Sequence, residues 1–63
     1  MIIVSVNFID WNNCTRSVEV TSNMCEALNL CKRDIDLMNK AFAYVERRYT
    51  ELYDLISIEI VAK

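Results

Sequence analysis

Apolar and polar residues alternate through the first ten positions. Ile2, Val4, Val6 and Phe8 fall on one side, and Ile3, Ser5, Asn7 and Ile9 on the other. A period of two with β-branched enrichment predicts a strand over 2–10. The alternation returns in RSVEVT at 16–21, with Val18 and Val20 together. It returns once more in LISIEIV at 55–61, where Ile56, Ile58 and Ile60 oppose Ser57 and Glu59. Between these stretches the period changes. Met24, Leu28, Cys31, Ile35, Met38, Phe42, Val45, Tyr49 and Leu52 recur in steps of four and three. That spacing predicts a helical seam over 23–54. Asn23 can cap it, with Glu26 three residues on completing a capping-box-like pair.

The lengths conflict. About 30 helical residues span ~45 Å, while a six-residue strand covers ~20 Å. The helix therefore protrudes or breaks, and the expected break is at KRDID, where Asp34 can cap a second segment. Strand directions then give a β-β-α-β chain with an antiparallel three-stranded sheet of order 2-1-3. The crossover from strand 2 through the helix to strand 3 is expected to be right-handed. Strand 1, the most hydrophobic on both faces, takes the centre. The 63 residues fit a single α+β domain, 1–63.

The chain has no Gly and no Pro, so its turns need other residues. Asn tolerates left-handed backbone best after Gly, which makes Asn12-Asn13 the expected hairpin turn. A two-residue loop there would set Val6 against Glu19 and Asn7 against Val18, mixing apolar with polar on each face. Pairing Phe8 with Val18 and Val6 with Val20 removes the conflict. It requires an odd loop or a bulge with an Asn in the left-handed region. The lone tryptophan, Trp11, has two placements at this stage. It lies outward beside Ile9 and Ile3, as a binding patch, or a bulge turns it inward to close the core.

Composition narrows the function classes. Seven basic and nine acidic residues leave a net charge of −2, against the basic surface expected of a nucleic-acid binder. There is no His, which removes the commonest general base and metal ligand. Without glycine, a phosphate loop has no backbone to build on. Cys14, Cys25 and Cys31 are odd in number and lack C-x-x-C spacing, so three reduced thiols are expected rather than a disulfide or zinc framework. No enzyme, cofactor or metal is expected. The N-terminal stretch lacks a signal-peptide pattern, and no apolar run reaches the ~20 residues of a membrane span. A soluble intracellular protein is expected.

A hydrophobic share of 54% is high for so short a chain, whose core is small. It implies a dense core or apolar surface meant for a partner. Ala27, Leu30, Leu37, Ala41 and Tyr44 form a second apolar stripe beside the main seam. That stripe is either a helix sunk deep in the core or a contact surface.

Met1, Val4, Val6, Phe8 and Trp11 spell M-x-x-V-x-V-x-F-x-x-W, followed by Glu19-Val20-Thr21 and Asn39-Lys40-Ala41. This set resembles the Dmd antitoxin family of T-even-type bacteriophages over most of the chain. The hairpin loop is shorter here, and the C-terminal strand departs from the family pattern. The resemblance implies a phage-encoded, non-enzymatic inhibitor in the host bacterial cytoplasm. Such a protein binds a host endoribonuclease toxin of the RnlA or LsoA type by direct contact and protects phage mRNA. On that reading Trp11, Leu30, Leu37 and Tyr44 are the expected apolar anchors. Asp34, Asp36, Glu46 and Glu51 are the acids expected to meet a basic RNA-binding cleft. The protein is expected to be a monomer or weak homodimer, with no nucleic acid or membrane as partner. The competing readings are a self-associating helical module, and a phage inhibitor of another nuclease or of a DNA-repair enzyme.

Overall fold

The alternation of residues 2–10 becomes β1, Ile3–Asp10, in a computed structural model that describes all 63 residues. It is followed by β2, Thr15–Thr21, a 3₁₀ segment, Glu26–Leu30, helix α1, Asp34–Arg48, and β3, Leu52–Ala62. The sheet is antiparallel with order β2-β1-β3, as the strand directions require. The protein is an α+β fold with α1 and the 3₁₀ segment on one face of the sheet. No helix is long and apolar enough to cross a membrane.

The core is built from the even residues of β1. Val4, Val6 and Phe8 are fully buried with Val20 and Leu28, and Leu37, Ala41 and Val45 of α1 close over them. The three α1 residues are spaced i, i+4, i+8, so one stripe of the helix lies along the sheet. The small Ala41 at its centre lets the helix backbone approach closely.

The predicted 23–54 helix is broken. Its first part is the 3₁₀ segment, ending at Cys31 in extended conformation, and α1 begins only at Asp34. Fifteen residues give a helix of about 22 Å, which matches the ~26 Å of an eight-residue β1. The chain resolves the overhang by shortening the helix and starting β3 at Leu52. Asn23 caps nothing. The residue preceding the 3₁₀ segment is Cys25, with no side-chain cap, and Met24 N–H bonds instead to Thr21 Oγ1 at 3.3 Å. Asp34 is not a cap either; Arg33 holds that position without a side-chain bond. The seam is not the core face throughout, because Met24 and Ile35 are exposed while Leu37 and Ala41 of the second stripe are buried.

Two details of the sheet also differ from expectation. The observed pairs are Val6 with Val18, Val4 with Val20 and Phe8 with Arg16. Parity is preserved, but the register sits two residues from the Phe8–Val18 pairing. The cause is the loop. Trp11-Asn12-Asn13 forms it, with Asn13 at φ 64°, and Asn13 N–H closes a turn onto Asp10 O at 2.9 Å. The alternative register would have put Cys14 in the left-handed position, which Asn tolerates better. In β3, register shifts against β1 occur between Asn7 and Phe8 and between Ile9 and Asp10. Ile56 and Tyr53 are the extra residues at these bulges. Ile56 is therefore exposed rather than inward with Ile58 and Ile60.

Candidate binding surfaces

The hairpin tip is organised around Asp10. Its carboxylate is buried and accepts from the N–H groups of Asn12 and Cys14, each at 2.9 Å through Oδ1. Its other oxygen lies 3.5 Å from Arg16 Nη1, which also sits 3.5 Å from Glu51 Oε1. Trp11 N–H donates to Glu51 O at 2.9 Å, joining the hairpin to the segment that leads into β3. Each backbone N–H of the loop thus has a partner, which restrains the tip.

Trp11 is presented outward by this frame. It is 67% exposed, and its ring meets Tyr53 edge-on at 4.5 Å between centroids. The outward placement of Trp11 is the one adopted. Tyr53, at the second β3 bulge, is 59% exposed. Two exposed aromatic rings held against each other form a preformed apolar contact, and aromatics of this kind dominate interface energetics.

The other expected contact residues divide by position. Glu51 stands at the tip with Trp11. Leu30 is exposed at the end of the 3₁₀ segment, and Tyr44 is half-buried beneath the Arg48 guanidinium, 4.6 Å from its ring centroid. Asp36 forms a two-bond pair with Arg33, at 3.1 and 3.3 Å. This hydrogen bond, and then the carboxylate's charge, hold the exposed guanidinium still more firmly protonated. Asp34 opens α1 and pairs with Lys63 at the end of β3, the far end of the molecule from Glu51. Glu46 is exposed and unpaired. The four acids therefore do not form one face. Leu37 is 4% exposed in the core and is not a contact residue, because the stripe that carries it is the buried one.

Asp10 and Tyr53 are the site residues that sequence reasoning missed. An Asp directly before a Trp-Asn-Asn loop is a signature of a side chain that caps its own turn. Tyr53 had no such signal, since it lies where a helical seam and a strand pattern overlap. Of the thiols, Cys14 is exposed and Cys25 and Cys31 are half-buried. No group of three or more potential ligands is placed to hold a metal ion.

The arrangement is that of a small α+β module offering a restrained aromatic tip and an open helical face. Neither a family model, nor a curated protein, nor a solved structure matches the chain.

Proposed function

We propose that the protein is a non-enzymatic inhibitor that acts by direct contact with a protein partner. The partner class implied by the resemblance to Dmd is a host endoribonuclease toxin of the RnlA or LsoA type, met in the bacterial cytoplasm. The observation that carries the binding part of this reading is the Trp11–Tyr53 pair. Both rings are more than half exposed and held edge to face, and the Trp11 backbone is tied to Glu51 O within the loop that Asp10 organises. A preformed anchor loses little conformational freedom on binding, which favours affinity from a small surface. Trp11 and Tyr53 supply the apolar anchor, and Glu51 beside them is the acid best placed to meet a basic cleft.

Titration calorimetry against an RnlA-type and an LsoA-type toxin, with RNA cleavage followed in parallel, tests this reading. One-to-one binding that stops cleavage supports it and reveals which toxin is preferred. A folded sample that gives no heat and no inhibition with either toxin overturns it. Self-association is the second reading. It is favoured by the exposed Tyr53, Leu55, Ile56 and Val61 of the edge strand β3, and sedimentation at several concentrations separates it from a monomeric inhibitor.

A further inference from the structure

The chain is acidic overall, yet its unpaired cations gather in one place. Of seven Lys and Arg residues, Arg16, Arg33 and Lys63 are in ion pairs. Of the other four, Lys40, Arg47 and Arg48 line a single hollow of about 210 Å³ between the 3₁₀ segment and α1. No acidic residue lines it. Its remaining walls are Cys25, Ala27, Ala43 and Tyr44. Lys40, Tyr44, Arg47 and Arg48 follow the i, i+4, i+7, i+8 spacing of one helix face. Lys40 and Arg47 are thus about 10 Å apart along the axis. Arg48 stacks on the Tyr44 ring at 4.6 Å, which holds the guanidinium while leaving its N–H edge free for a planar anion.

We propose that this groove docks a short acidic segment of a protein partner, with two or three carboxylates set on Arg47, Arg48 and Lys40. Charge complementarity selects the occupant, and the surroundings set its length. An adjoining hollow shares Ala27 and Lys40 but adds Asp36 and the exposed Leu30. Asp36 is already paired with Arg33 and Lys40 is the only cation lining this second hollow, so the attraction for anions ends there and an apolar side chain finds Leu30 instead. A nucleic-acid backbone, charged at every residue, would find no further cation beyond Lys40 in that hollow. A peptide with a brief acidic run followed by an apolar residue fits both hollows. The groove is built on different elements from the hairpin tip, so the inference stands apart from the role of Trp11.

The test uses a fluorescein-labelled Glu-rich octapeptide ending in Leu, its Gln-for-Glu counterpart, and a single-stranded RNA octamer, each titrated by anisotropy. The acidic peptide is expected to bind, the Gln peptide to bind at least about tenfold more weakly, and binding to fall as salt rises. Arg47→Gln with Arg48→Gln should weaken binding about tenfold or more. Lys32→Gln, which removes the one unpaired cation outside the groove, should leave it unchanged. Circular dichroism confirms that these exposed substitutions leave the fold intact. Absence of acidic-peptide binding, equal loss in Lys32→Gln, or tighter binding of the RNA would each overturn the proposal.

Discussion

Asp10 has two jobs that an exposed acid would not. It satisfies two loop N–H groups, and it anchors Arg16, through which Glu51 is held. Replacing it by Ala leaves those donors without their acceptor at a nearly buried position. A loss of about 2–4 kcal/mol is expected in urea unfolding. Asp10→Asn keeps an acceptor oxygen and loses only the charge, so it should cost about half as much. Trp11 behaves in the opposite way. Its ring is exposed and touches chiefly Tyr53, so Trp11→Ala should cost no more than about 1 kcal/mol of stability. The same change should weaken binding to the toxin partner by ~1–4 kcal/mol if the tip is the anchor. Unfolding and calorimetry on the two variants separate the residue that builds the tip from the residue that uses it. The place of Trp11 at the hairpin tip was legible in the sequence because Asn12-Asn13 marked the turn, but strand parity left open whether its ring points outward or inward. Asp10 carried a signal that strand parity masks: it reads as one more inward strand residue, and only its place before the turn points to a carboxylate satisfied by loop N–H groups.

At the scale of elements, period two placed the strands and their order, and period 3.5 overextended the helix. The seam from Met24 to Leu52 matches the core only in part, since Met24 and Ile35 are exposed, and three different backbones contribute its inward residues. Leu28 enters from the 3₁₀ segment, Val45 from α1, and Leu52 from β3. Periodicity cannot tell these apart, whereas the mismatch between helix and strand lengths called for a protrusion or a break; the break expected at KRDID is where α1 begins, although Asp34 does not cap it. The parity error in β3 has another origin. A bulge absorbs one residue without needing a particular side chain, so Ile56 carried no mark of it. Which stripe of α1 is buried decides a further prediction. Leu37→Ala removes a core side chain and should destabilise the protein by about 2–4 kcal/mol. Leu30→Ala, at 82% exposure, should stay within about 0.5 kcal/mol. Thermal unfolding of both variants checks the assignment. Equal losses would mean that Leu37 is not the buried side chain of the pair.

The whole molecule measures 34 × 17 × 16 Å, its long dimension matching the length of the eleven-residue β3, and the sheet has two unlike edges, β2 and β3. β2 shows Thr15, Ser17 and Glu19 to solvent, a polar edge that discourages pairing. β3 is longer and shows Tyr53, Leu55, Ile56 and Val61, which by composition alone would invite a second strand. Its bulges oppose that invitation. Register shifts at three places along β1·β3 bend the strand and interrupt the regular row of free N–H and C=O groups that a partner strand must meet. The two effects can be weighed by removing one of them. Deleting Ile56 brings Ser57 and Leu55 into consecutive register opposite Asn7 and Phe8, without changing which residues face the core. The edge becomes straighter while losing an apolar side chain. If composition drives association, the deletion should reduce it. If backbone geometry is what holds the edge apart, the deletion should increase it, and the geometric argument predicts this outcome. Sedimentation velocity over a concentration series is expected to show the parent chain as a monomer and the Ile56 deletion as a mixture shifting to larger species. A deletion variant that stays monomeric, with its fold intact by circular dichroism, would assign the edge's restraint to something other than its bulges.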